Sequence, residues 1–250
     1  MRKLIAGVGA AVVVLVAGVV AAMTVQPVAI DLKMAGRDMS APLRVENNGP
    51  TPLPVEVTIV ETDFLPDTVT ASDRASEDIM VFPPQAVIPP GETQVFRVQY
   101  VGDPSGERSR HYYAEVAQLP VELPEGQSAI QILYNFQVMV NVASITGGNP
   151  NLTVEGTEIV TTEDGKFVPA FSVKNSARNY GYLSNSQVTI THKDATGKEL
   201  LRRVMSGNDV QQMIGYGLVG PETTRKFTAP IELASAEGSI EVRINTPRRR

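Results

Sequence analysis

The chain predicts an all-β protein of two sandwich domains, and three observations carry that expectation. Short runs of alternating apolar residues recur between turn signals, and no stretch holds the period of a long amphipathic helix. The 18 prolines and 20 glycines are spread along the chain and punctuate those runs without forming a low-complexity tract. One pattern also occurs twice. Leu43-Arg44-Val45-Glu46-Asn47 returns 128 residues later as Phe171-Ser172-Val173-Lys174-Asn175. Pro90-Gly91-Glu92-Thr93-Gln94-Val95-Phe96 is echoed by Gly220-Pro221-Glu222-Thr223-Thr224-Arg225-Lys226-Phe227. Asn47 to Glu92 spans 45 residues and Asn175 to Glu222 spans 47, so the two matches keep their order and spacing.

The first 22 residues have the form of an export signal. Arg2 and Lys3 give a positive start, Leu4 to Val20 an uncharged Ala/Val/Gly-rich run, and Val20-Ala21-Ala22 a cleavage-like end. Removal after Ala22 is the expectation, with an uncleaved membrane anchor as the alternative. About 228 residues then remain, comfortable for two domains.

The first domain, residues 23–146, is expected to run through Val25 to Met34, Ala41 to Asn47, Val55 to Val60, Val87 to Ile88, Gln94 to Tyr100 and Tyr112 to Leu119. Asn47-Asn48-Gly49-Pro50 is a turn, and Pro83-Pro84 and Pro89-Pro90-Gly91 make breaks, because proline cannot donate to a ladder. Its last strand is expected over Ile130 to Val142, where Ile130, Ile132, Tyr134, Phe136, Val138, Val140 and Val142 alternate mostly with Gln and Asn. Such a strand would be about 40 Å long, beyond what one sandwich covers, and surplus strand edge invites another chain to pair with it. About seven strands in such a domain is the count of an immunoglobulin-like sandwich. Gly147-Gly148-Asn149-Pro150 reads as a hinge. The second domain, residues 151–250, is expected to use Asn151 to Glu155, Phe171 to Asn175, Leu183 to His192, Glu199 to Met205, Arg225 to Pro230 and Ser239 to Ile244.

Little in the chain looks like chemistry. Loss of Arg2 and Lys3 leaves 20 basic against 27 acidic residues and moves the formal charge from −5 to −7, which argues against a nucleic-acid partner. The basic tip Arg248 to Arg250 reads as a solvated terminus. Without cysteine there is no disulfide and no thiolate zinc site. The two histidines, His111 and His192, stand among charged neighbours that suggest solvated strand ends, and no Gly-x-Ser-x-Gly elbow supports a triad. Asp63, Asp67, Asp73 and Asp78 fall in a loop-like stretch without the spacing of a calcium loop. Neither catalytic activity, metal nor cofactor is expected.

Val87-Ile88-Pro89-Pro90-Gly91-Glu92-Thr93-Gln94-Val95-Phe96-Arg97-Val98, then Tyr112 to Pro120, then the long strand, resemble the periplasmic pilus chaperones of the chaperone–usher pathway. Asn175 and Tyr182-Leu183-Ser184 fit the same pattern in the second domain. The resemblance implies a boomerang of two immunoglobulin-like domains whose first domain lends its last strand to an unfinished pilus or fimbrial subunit and presents it to an outer-membrane usher. Carried onto this chain, the donor residues are Ile130, Ile132, Tyr134 and Phe136, with Val138, Val140 and Val142 kept in the domain's own core. Better-known members hold the subunit's terminal carboxylate with an arginine and a lysine; those positions fall here on Ala29 and Met139. The acid and arginine that join the domains in those members fall on Ser109 and Ala143. Candidate replacement anchors are Arg97, Arg110 and Lys33, in that order, since a guanidinium binds a carboxylate in a fork. The short connection from Pro120 to Ile130 is similar to that of members that build rod-like pili. Periplasmic location and self-pairing through the exposed strand are further expectations. The alternative is a surface adhesion or structural module of tandem immunoglobulin-like domains, which should guard its edges with charge or proline.

Overall fold

The computed structural model describes residues 23–120 and 132–246. In chain order the first domain comprises β1 (Met23–Gln26), β2 (Ala29–Lys33), β3 (Ser40–Asn47), β4 (Leu53–Phe64), β5 (Val69–Ala75), β6 (Ile79–Phe82), β7 (Gln85–Ile88), β8 (Thr93–Tyr100), β9 (Arg110–Gln118) and β10 (Asn135–Ala143). Two sheets face each other. One is four-stranded, in the order β1-β3-β8-β6; the other is six-stranded, in the order β2-β10-β9-β4-β5 with β7 also on β4.

Side-chain alternation turns one face of each sheet inward. Leu43, Val45, Phe96, Val98 and Tyr100 from the first sheet meet Ile30, Leu32, Val55, Val57, Ala114, Val116, Val138, Val140 and Val142 from the second in one buried cluster. The expected strand Val25 to Met34 is two. Pro27 has no N–H to give a ladder, and there the chain leaves β3 and crosses to β10. The Asp-rich stretch expected as a loop is instead a hairpin of β4 and β5, pinned where Arg74 meets Glu61 at 2.8 Å and Asp63 at 2.6 Å.

The second domain comprises β11 (Leu152–Thr161), β12 (Phe167–Asn175), β13 (Gly181–Tyr182), β14 (Gln187–Lys193), β15 (Glu199–Met205), helix α1 (Gly207–Ile214), β16 (Leu218–Val219), β17 (Thr224–Thr228) and β18 (Ser239–Asn245). Its three-stranded sheets β11-β12-β17 and β15-β14-β18 enclose Phe171, Val173, Val188, Ile190, Met205, Phe227 and Val242. A 3₁₀ turn at Leu183–Asn185 takes up the start of the strand expected from Leu183. Helix α1 was not expected. Its signal is Ser206-x-x-Asp209: the Ser206 hydroxyl accepts from Asp209 N, and the Asp209 carboxylate accepts from Ser206 N.

The repeated sequence occupies equivalent places. Leu43 pairs with Phe96 across β3 and β8, and Phe171 pairs with Phe227 across β12 and β17. At the strand ends Asn47 and Asn175 are buried and tie a turn to a distant segment. Asn47 Nδ2 donates to Thr51 O and Ile88 O, both at 2.8 Å. Asn175 Nδ2 donates to Asn179 O at 2.7 Å and Gly220 O at 3.0 Å. An asparagine amide caps two chain reversals at once, which explains its recurrence.

Candidate subunit-binding edge and domain junction

β10 runs antiparallel to β9 from Asn135 opposite Ala117 to Val142 opposite Arg110. Its other border is shared with β2 in parallel, and only from Met139 opposite Ala29 to Ala143 opposite Lys33. Gln118 N donates to Tyr134 O, and Met139 N donates to Val28 O. Backbone groups alternate sides along a strand, so the even residues here serve β9 while Asn135 and Gln137 aim theirs at the other border. Among the described residues no strand pairs with that border between Asn135 and Val138. The strand is therefore sealed at its C-terminal half and open at its N-terminal half.

The regular strand spans nine residues, shorter than the expected Ile130 to Val142. Ile132 to Tyr134 precede it without ladder pairing on both sides, and Ile130 lies outside the described residues. Ile132 is 70% exposed and Leu133 48%. The Tyr134 and Phe136 rings stack with centroids 6.5 Å apart and lean, half-buried, on the end of the core. Val138, Val140 and Val142 are buried. Along one face, then, side chains pass from exposed to half-buried to buried over ten residues.

None of the three expected anchors meets the open segment. Arg97 lies on the outer face of the other sheet, between Pro42 and Phe82, and reaches Ser40 Oγ at 3.2 Å. Arg110 stands opposite Val142 and is held by Asp78 at 2.6 Å, a carboxylate that also accepts from Tyr112 Oη. Lys33 stands opposite Ala143 and is paired with Asp38 at 2.6 Å. Two of these cations thus sit at the sealed end of β10 with carboxylates already attached. Sequence reasoning passed over Arg44. Its exposed side chain lines a cleft of about 630 Å³ together with Ala29, Asp31 and, from the second domain, Tyr216. The β1–β3 register sets Arg44 opposite Gln26 at the mouth of the strand crossing.

The histidines are not solvated strand ends. His192 is fully buried in the second domain and bonds Glu237 O through Nε2 at 2.9 Å. His111 is buried where the domains meet. The Tyr182 hydroxyl donates to Asp31 Oδ1 at 2.7 Å and accepts from Asn141 Nδ2 at 2.6 Å. Asn141 Oδ1, 2.6 Å from His111 Nδ1, then needs a donor, which fixes the tautomer with its proton on Nδ1. His111 Nε2 is left to accept from Ser109 Oγ at 3.1 Å, and Ser109 Oγ accepts from Tyr180 N. Tyr180 Oη closes the circuit on Asp31 Oδ1 at 2.8 Å. Burial pushes the His111 pKa down to about 4, against the opposing pulls of Asn141 and Asp31. Burial, reinforced by Asp31, raises that of the Tyr182 hydroxyl.

A second brace joins the domains. The β4–β5 hairpin tip accepts a bond from Lys226 N at Pro66 O, 2.7 Å, and Phe64 lies edge-on to His111 at 4.9 Å. Phe64 also presses on Gly220, where a Cβ would come within 2.8 Å of the ring.

Residues 23–141 match the family model of the pili and flagellar-assembly chaperones, PapD N-terminal domain. Among solved structures, the Salmonella enterica SafA pilin in complex with the SafB chaperone matches at a TM-score of 0.54 and 16% identity, over 90% of this chain and 89% of that one. The CsuC–CsuE chaperone–tip adhesion subunit pre-assembly complex from archaic chaperone–usher Csu pili of Acinetobacter baumannii matches at 0.52 and 13% identity, over 90% and 98%. The YadV chaperone matches at 0.52 and 17% identity, over 89% and 91%. At these identities the likeness is one of fold, and it extends over both domains. A search of curated proteins by sequence found no match.

Proposed function

From the premise that its first domain belongs to the family of pili and flagellar-assembly chaperones, we propose that this chain caps fimbrial subunits by lending them the open half of β10. The observation that carries the reading is the half-sealed border. From Met139 onward β2 completes the sheet, and from Asn135 to Val138 no described strand pairs with the same border. A guest with an unfinished sandwich gains a strand there through backbone bonds, while Ile132, Tyr134 and Phe136 fill its open groove. Ile130, by the same alternation, extends the set beyond the described residues. Burying each such side chain contributes roughly 1.5–3 kcal/mol before the costs of association.

β2 also sets where the guest must stop. A guest strand lying parallel in the line of β2 ends against Ala29, and its terminal carboxylate enters the cleft that Arg44 and Tyr216 share. Arg44 replaces Arg97, Arg110 and Lys33 as the anchor, because those three bond elsewhere or lie on another face. The signal-like N-terminal run supports a periplasmic site of work, and the reading takes an outer-membrane usher as the recipient of the loaded guest. A tandem-domain adhesin is disfavoured, since Ile132 and Leu133 expose apolar surface in a stretch, Ile132 to Val142, that carries neither charge nor proline.

Coexpression with a neighbouring small subunit, followed by purification from the periplasm, tests the reading. A stoichiometric complex supports it. A soluble subunit that never copurifies, with the chaperone folded, would refute it.

A further inference from the structure

The junction holds a feature that the lending of β10 does not use. Its polar groups form one directional circuit: Tyr180 N–H to Ser109, Ser109 to His111, His111 to Asn141, Asn141 to Tyr182, and Tyr182 and Tyr180 to Asp31. We propose that this circuit is an acid-released latch between the two domains, and that Asn141, on β10 itself, is its positioning residue. The proposal goes beyond the capping of subunits and does not depend on it.

Each link leaves the next only one role. Tyr182 gives its proton to Asp31, so Asn141 must donate to Tyr182 and accept from His111. His111 must then accept from Ser109. A proton added at Nε2 reverses that last bond: the ring becomes a donor, and the Ser109 hydroxyl hydrogen loses its acceptor. The resulting cation is buried and bonds Asn141 and Ser109 rather than Asp31, which is held by Tyr182 and Tyr180. On the side of the ring that faces the second domain, Arg178 pairs with Glu107 and Arg108 with Glu222; Arg110 with Asp78 and Glu61 with Arg74 pair on the opposite face of the sheet, the face of Tyr112. Packed against the ring, Phe64 and Tyr180 offer aromatic contacts and no anion. Burial therefore keeps His111 neutral down to about pH 4 while the domains are docked.

The sign follows. A group whose docked pKa lies below its free value favours docking fully above the free value, near 6.5. That preference is lost as pH falls from there toward about 4. Acid should free the domains to change their angle, each keeping its own core.

The chain has no cysteine, so spin labels can be placed at will on the mature protein. Exposed Thr93 and Lys198 report one domain each as T93C and K198C. Pulsed electron–electron distance measurements should give a narrow distribution at pH 7.5 that broadens by pH 4, in step with the His111 ring resonance. The His192 resonance, inside the second domain, should stay in place and certify that the fold persists. His111→Asn keeps a donor toward Asn141 but cannot become charged, so its distribution should stay narrow at both pH values. Tyr182→Phe cuts Asn141 from Asp31 and should broaden the distribution already at pH 7.5. A wild-type distribution that stays narrow after His111 has titrated would overturn the latch. So would His111→Asn broadening in acid as the wild type does, or Tyr182→Phe remaining narrow at pH 7.5. Subunit capture lost while the latch behaves as described would count against the proposed function alone.

Discussion

Met139 of β10 stands directly opposite Ala29 of β2, and this pair is the first rung of the parallel ladder between the two strands. Among the described residues, β10 has one neighbour N-terminal to that rung and two C-terminal to it. The same two positions are those at which the related chaperones are expected to carry their basic pair. Here they hold a hydrophobe and a methyl group, and the proposed anchor Arg44 lies on β3.

Ile132→Asp should reduce recovery of the subunit complex roughly thirtyfold or more, the effect of losing about 2 kcal/mol at an interface anchor. Because the side chain is 70% exposed, the free protein's unfolding midpoint should move by less than about 0.5 kcal/mol equivalent. Quantitative copurification and urea unfolding check the two halves separately.

Arg44→Ala should weaken subunit capture about tenfold to a hundredfold, the range of a charge-assisted hydrogen bond to a carboxylate. A synthetic peptide of the subunit's last strand, ending in an amide in place of the acid, should bind wild type and variant alike. Equal loss with both peptides would show that Arg44 contributes something other than charge recognition. Added salt should narrow the difference seen with the acid.

Asn47→Ala and Asn175→Ala should each cost about 2–4 kcal/mol, because each leaves buried carbonyls and a turn N–H without partners. The matching size of the two effects in equilibrium denaturation is the point of the comparison. If Asn175→Ala were silent, the equivalence of the two turns would fail.

Gly207→Ala should destabilise the second domain by more than about 2 kcal/mol, although alanine is the better helix former at most positions. Gly207 opens α1, and a Cβ there would come within 2.0 Å of Ser184 O. Far-UV and thermal denaturation of the variant measure it.

Much of this architecture was legible because its signals are local. Alternation in Leu43-Arg44-Val45 and Phe96-Arg97-Val98 marks two-faced strands, and these pair as Leu43 with Phe96. The repeated asparagines announced equivalent turns before either was seen to bridge two segments. What stayed hidden depends on distance in sequence. Nothing near Arg44 says that the chain crosses sheets at Pro27 and places it beside Ala29 and Tyr216. His111 looked solvated because Arg108, Arg110 and Glu107 surround it in sequence, whereas in space Arg108 and Glu107 pair with the second domain, Arg110 turns to Asp78, and the ring is buried. The long alternating run marks a strand, but alternation cannot tell where a ladder ends; β2 decides that, from a hundred residues away.

β10 is the last strand of the first sandwich in chain order, yet it lies between β2, among the first, and β9. As the chain is made, the earlier strands emerge with a slot between them, so the newborn domain passes through an unfinished sandwich like that of the guests proposed for it. Until β10 arrives, β2 and β9 have no common neighbour to close the sheet between them.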